Sequence, residues 1–175
     1  MLKGRLVGLR AVEKTDLKQL LEWRNQSNYR RFFREYRELS FDHQIEWYER
    51  KVLKDEHTRM FSIIISETNE LIGACGLCYI DWVNRCADFS IYIGKDDLYV
   101  DNKYAVDASE ILIKYGFEEL GLHRLWSEIY DIDNGKKKLF EEIGFEHEAI
   151  HKSTHWTDGQ WVDSWYYRLL IDEYL

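Results

Sequence analysis

The stretch from Cys86 to Phe145 switches its hydrophobic period repeatedly, and this limits the fold more than any other feature of the chain. Ala87–Ile93 is a run rich in β-branched and aromatic residues, suited to a buried strand. A polar loop follows, and Asn102–Leu120 then spaces its apolar residues for one face of a long helix. Arg124–Tyr130 returns to strand character. Asn134–Ile143 is helical again and stops at Gly144, a residue that ends helices without steric cost. Strand, helix, strand and helix in this order imply a sheet with crossover helices, hence an α/β (α+β) fold.

The flanks extend the same alternation. Leu6–Val12 reads as a first strand, and Thr15 can cap a helix running to about Asn25. Ser40 can cap a second helix. Arg59–Glu67 and Glu70–Asp81 read as a hairpin, with Arg85–Ile93 as the third strand of a meander. Glu146–His155 and Gln160–Leu170 form a last hairpin around the turn Thr157-Asp158-Gly159. The chain contains no proline, and no Gly/Ser linker divides it. With 175 residues, 45% of them hydrophobic, it can bury one sizeable core, so residues 1–175 are expected to form a single domain.

Charge and cysteine usage narrow the function classes. A net charge of −8 disfavours a nucleic-acid partner and suits an amine-bearing substrate. Cys75 and Cys78 have C-x-x-C spacing, but no second pair completes a zinc site. On a strand the two side chains point to opposite faces, so they read as reduced, partly buried thiols. The odd cysteine count and an amino terminus unlike an export signal lead us to expect a cytoplasmic protein without membrane attachment. No histidine spacing suggests a metal, and no Walker loop or dinucleotide fingerprint is present.

Four motifs, in this order, carry a resemblance. They are Ile72-Gly73-x-x-Gly76-Leu77 with Asn84-Arg85-x-Ala87-Asp88; Tyr115-Gly116-Phe117-x-x-Leu120-Gly121-Leu122-x-Arg124; Leu139–Phe145; and Asp158-Gly159-x-Trp161-x-Asp163. Together the chain resembles the GNAT acetyltransferase superfamily, in the branch that includes ribosomal-protein N-terminal, polyamine and nucleotide-linked amino-sugar acetyltransferases. The resemblance implies a central mixed, mostly antiparallel twisted sheet flanked by about four helices. It also implies acetyl-CoA as co-substrate. The middle strand, at Ile91, Tyr92 and Ile93, would splay from its neighbour and face the pantetheine arm. The next helix would aim the N–H groups of Asn102, Lys103, Tyr104 and Ala105 at the pyrophosphate, as free amides and the helix dipole favour an anion there. A carbonyl-anchoring asparagine would stand just before the fourth helix, where spacing places Asp133; Asn134, one place later, would take that role or else cap the helix, and Lys136–Lys138, Lys137 among them, would meet the 3′-phosphate.

The chain departs from the family pattern in two places. The phosphate loop, Q/R-x-x-G-x-G/A in the family, here reads Val100-Asp101-Asn102-Lys103-Tyr104-Ala105, so only Ala105 matches. Either its amides still bind the pyrophosphate with Lys103 adding a compensating charge, or Asp101 is merely a helix cap, the lysines are solvated and cofactor binding is weak or lost. The tyrosine that often serves as acid on the fourth helix is replaced by Phe140. Tyr130 is the substitute carried forward, with Tyr104 or water as alternatives. Asp88 is the expected base; its other reading is an ion pair with an arginine such as Arg24.

Trp23-Arg24-Asn25, then Arg30 or Arg31, His43 and Trp47, resemble the acceptor pocket of enzymes acting on nucleotide-linked amino sugars. The arginine-rich stretch Asn28–Glu38 can instead be a solvated helix face paired with Glu35 and Glu38. His155, Trp156 and Trp161 can wall the acceptor site or the interface of a homodimer. The expected activity is acetyl transfer to a small primary amine, a nucleotide-linked amino sugar first. The competing reading is a GNAT-like module that has lost catalysis and serves binding or regulation.

Overall fold

The computed structural model describes residues 1–174. It opens with the short strand β1 (Leu2–Lys3) and with β2 (Val7–Ala11). A 3₁₀ turn at Lys14–Asp16 leads into helix α1 (Leu17–Asn25), a one-turn helix α2 (Ser27–Arg30) and helix α3 (Phe41–Trp47), whose end widens into a π turn. The meander β3 (Arg59–Ile65), β4 (Leu71–Asp81) and β5 (Cys86–Ile93) follows. Helix α4 (Tyr104–Lys114), strand β6 (Arg124–Tyr130), helix α5 (Asn134–Glu142), the hairpin β7 (Glu146–Thr157) and β8 (Gln160–Leu170), and one-turn α6 (Ile171–Tyr174) complete the described chain. Strand β1, the last two residues of β7, and helices α2 and α6 go beyond the expected elements.

All eight strands join one sheet in the order β1-β2-β3-β4-β5-β6-β8-β7. Every neighbouring pair is antiparallel except β5 and β6. This is the mixed, mostly antiparallel sheet that the resemblance implies. Alternation along β4 and β5 feeds a core on each face. Cys75, Ile91 and Ile93 pack with Ala105 and Leu112 of α4 and Leu139 of α5. Ala74 and Tyr92 pack on the other face with Leu17, Leu20 and Trp23 of α1. Gly94 is fixed by that packing, because a Cβ there would lie 1.9 Å from a ring atom of Trp23.

The long helix starts later than its apolar pattern predicts. Lys103 is non-helical (φ −123°, ψ −76°), and Asp101 accepts the first amides of α4. Regular α-helix stops at Lys114, and a π turn carries the chain to Glu119. Two buried carboxylates stitch the layers together. Asp107 of α4 accepts the backbone N–H groups of Arg5, Leu6 and Val7 at 3.0, 2.8 and 2.9 Å. Asp16 accepts the two terminal guanidinium nitrogens of Arg10 and the Ser62 hydroxyl.

Candidate active site

Strands β5 and β6 pair in parallel only at Cys86↔Arg124, Ala87↔Leu125 and Asp88↔Trp126. Beyond Asp88 they part. The Ser127 hydroxyl donates across the opening to the Phe89 carbonyl at 2.9 Å. Strand alternation turns the backbone groups of Phe89, Ile91 and Ile93 into this splay, and the side chains of Asp88, Ser90 and Tyr92 to the α1–α3 face. A cleft of about 600 Å³ opens on that face. Its walls are Asp88, Ser90 and Tyr92 from β5 and Ser127, Glu128 and Tyr130 from β6. The Phe32–Arg37 segment, Arg24 and Trp47 close the far side.

Asp88 sits where the strands part and is 4% exposed. Its carboxylate accepts Arg34 Nη1 at 2.7 Å. The same guanidinium donates Nε to Glu128 at 3.1 Å, and Glu128 accepts the Ser164 hydroxyl at 2.5 Å. Burial pushes the Asp88 carboxyl above its ordinary range, and the Arg34 charge only partly offsets that push. The result is a buried carboxyl that holds a proton more readily than an exposed one. Its arginine partner is therefore Arg34 and not Arg24, which instead lies over the Trp47 ring. Sequence spacing alone did not single out Arg34 from its neighbours in an arginine-rich stretch.

The other expected acceptor residues divide. Arg24 and Trp47 line the cleft. Trp23 is core. Asn25 clamps the backbone of Leu39 through two hydrogen bonds, and Arg30 pairs with Glu38. His43 forms a capping box with Ser40. The arginine-rich stretch is not a helix face: only Ser27–Arg30 is helical, and the rest crosses the cleft as irregular chain. Tyr130 lies at the cleft wall, 5% exposed, stacked on His155 with ring centroids 3.7 Å apart; burial pushes its phenol up to about 12. Trp156 and Trp161 contact each other edge to face and stay exposed at the tip of the last hairpin. Phe140 is wholly buried among Phe89, Phe145 and Tyr167, away from solvent. Cys75, Cys78 and Cys86 are free thiols; Cys78 lines the cleft, and burial raises it to about 12.

Several of the expected cofactor positions make hydrogen bonds within the chain. Ile93 donates its N–H to the Tyr99 carbonyl at 2.6 Å, and its carbonyl accepts the Tyr29 hydroxyl at 3.2 Å. The first amides of α4, on Tyr104 and Ala105, point to the Asp101 carboxylate at 3.1 and 2.7 Å. Asn134 begins α5, but the cap before it is Asp133, which accepts the Tyr99 hydroxyl at 2.6 Å and the Lys136 amide at 3.0 Å. Lys137 donates to the Asp131 carbonyl and covers the Trp165 ring. With the loop in this position, the N–H and carbonyl of Ile93 and the amides of Tyr104 and Ala105 already have partners within the chain. The apolar triplet Leu98-Tyr99-Val100 between acidic residues was the one sequence signal that this loop would turn inward.

Among the described residues no helix is long and apolar enough to cross a membrane. Residues 6–146 match the acetyltransferase (GNAT) domain family. N-acetyltransferase p20 of Bacillus licheniformis, itself uncharacterized, is 32% identical over 114 residues, spanning 65% of this chain and 63% of that protein. A spermidine N(1)-acetyltransferase of Vibrio cholerae is 29% identical over 168 residues, covering 95% of this chain and 94% of that enzyme. The crystal structure of the Vibrio cholerae spermidine N-acetyltransferase in complex with CoA and spermine superimposes with a TM-score of 0.87 at 26% identity, over 97% of this chain and 98% of that one. Splayed central strands, element order and family match agree: the chain belongs to the GNAT acetyltransferases, which are acetyl-CoA-dependent N-acyltransferases.

Proposed function

We propose that the chain acetylates a small primary amine bound in the β5–β6 cleft, with Asp88 as the base. The observation that carries this reading is the buried Asp88 carboxyl at the point where the strands part, facing the cleft and raised above its ordinary range. An amine arrives as an ammonium and must lose a proton before it can attack a carbonyl; a carboxyl of raised pKa is matched to that task. Arg34 orients Asp88, and Glu128 fixes Arg34 in turn.

The charge of the cleft bears on the acceptor. Arg24, Arg34, Arg37, Lys51 and Lys136 line it against Asp88, Glu35 and Glu128. Among the described residues Arg24 has no carboxylate in salt-bridge reach, and its guanidinium lies over the Trp47 ring at 6.0 Å. A cleft with surplus positive charge favours an amine that also bears an anionic group over a bare polycation. A nucleotide-linked amino sugar has that chemistry: arginine can fork onto its diphosphate and Trp47 can cover a base or sugar face. A polyamine acceptor is the second reading, supported by the relatives that act on spermidine.

Acetyl-CoA turnover against a panel of amines tests both. Nucleotide-linked amino sugars should give a higher kcat/KM than spermidine, and Arg24→Ala should erode that preference. Preferential acetylation of spermidine would replace the anionic acceptor by the polyamine. Failure to acetylate any amine would overturn the catalytic reading in favour of a binding module.

A further inference from the structure

The loop between β5 and α4 makes a set of contacts that a connection has no need to make. Tyr99 is 9% exposed, stacked on Phe32 at 4.8 Å and tilted on Tyr29 at 5.2 Å. Its carbonyl completes the open edge of β5 at Ile93, its amide donates to the Tyr29 oxygen, and its hydroxyl donates to Asp133. Two residues on, Asp101 neutralises the amino end of α4. Gly135 leaves room for this packing: a Cβ there would lie 2.9 Å from Val100 Cγ2 and 3.8 Å from a Tyr99 ring atom.

Beside the loop, Lys136 lines the cleft. Lys136 is 8% exposed, and among the described residues its ammonium has no hydrogen-bond partner, only the face of the Tyr99 ring at 5.5 Å. Burial lowers its pKa, and Asp133 and Asp88 counter the loss through their charge. The loop itself is held in an uncomfortable shape. Asp96, Asp97 and Tyr99 all have φ of 52–54°, in the left-handed region that a tyrosine in particular avoids.

We propose that the Asp96–Asp101 segment is a built-in competitor for acyl-CoA. Tyr99 imitates an amide-bearing arm along the β5 edge, and Asp101 imitates a phosphate at the start of α4. The cofactor binds only when the segment swings off and bares the Ile93, Tyr104 and Ala105 amides. This inference rests on the acetyl-transfer reading above and adds a gate to it. Apparent affinity is then the intrinsic affinity reduced by the fraction of molecules whose loop is open. Contacts that exist only in the closed loop weaken cofactor binding, and removing them strengthens it.

Calorimetric titration of the intact protein with CoA tests the gate. Tyr99→Phe carries the decision, because it keeps the ring stack and changes no charge, yet loses the bond to Asp133. Its Kd for CoA should fall about threefold to tenfold, the worth of one buried hydrogen bond removed from the closed state alone. Asp101→Asn keeps a helix cap and should tighten binding further by removing a competing charge. In the unaltered protein, saturating CoA should make the chain cleavable by chymotrypsin after Leu98 or Tyr99, a readout that does not depend on any variant folding. If CoA binds but Tyr99→Phe leaves its Kd unchanged or raises it, the gate is wrong and acetyl transfer stands. Tightening by Asp101→Asn alone has the same meaning, since charge repulsion then accounts for it. If neither the unaltered protein nor either variant binds CoA, both inferences fall.

Discussion

A single carboxyl shows how burial and pairing combine to set chemistry. Asp88 has given up solvent at a cost that Arg34 offsets only in part, so its affinity for a proton rises. The same pair could be purely structural, and the two roles differ in what a conservative change does. Asp88→Asn keeps the shape and removes the base. Turnover per folded enzyme should drop by about a hundredfold to ten-thousandfold, the usual contribution of a placed acid or base, with the Kd for CoA unchanged. Its pH–rate profile in the unaltered enzyme should rise at a pH above the ordinary carboxylate range. A variant that is less stable yet turns over normally would make Asp88 an ion-pair partner and nothing more.

Helix α5 illustrates how an element's buried face decides what a residue can do. Its pattern places Leu139 and Phe140 inward, and the structure seals Phe140 beneath Phe89, Phe145 and Tyr167. The family's tyrosine cannot be restored there by one atom. Phe140→Tyr buries a hydroxyl without a partner and should destabilise the fold by roughly 1–3 kcal/mol. It should not raise turnover; urea unfolding and a rate assay measure the two effects, and a faster enzyme would show that the ring reaches the reacting atoms. One turn earlier on the same helix, Lys136 replaces what is otherwise the polar end of that face, and its ammonium meets the loop. Helix α4 departs from its sequence pattern for a related reason. Apolar periodicity extends it toward Asn102, but Asp101 captures the first free amides and moves the start to Tyr104.

Across the whole molecule, acid sensitivity should follow the carboxylates that join its layers. Burial works to raise both Asp16 and Asp107, but their hydrogen bonds outweigh it and hold them below the usual range. A depressed folded pKa contributes stability that is complete above the unfolded value, about 4, and disappears as pH falls through the folded value. Asp88 acts in the opposite sense: its raised pKa costs stability at neutral pH, and protonation relieves that cost. The protein should therefore lose urea resistance from about pH 4 downward, and Asp107→Asn should start weaker and lose less. A flat profile through that window would mean that these stitches carry no net stability.

The fold was legible in the chain because it depends on period and order. Strand and helix periods, glycine stops and turn residues are local, and they specify the meander, both crossover helices and the last hairpin before any long-range contact forms. Asp88, Arg24 and Trp47 were named through the family resemblance, and all three line the cleft. What sequence could not assign was partner choice among chemically equal residues. Arg34 pairs with Asp88 from 54 positions away, although Arg24, Arg30 and Arg31 were equal candidates by type. The loop is the plainest case. As sequence, Val100–Ala105 is a poor phosphate cradle at the expected place. Only the tertiary structure seats Asp101 on the amides of Tyr104 and Ala105 and Tyr99 on the edge of β5, because whether a carboxylate faces solvent or free amides depends on where the sheet and α5 bring the chain together.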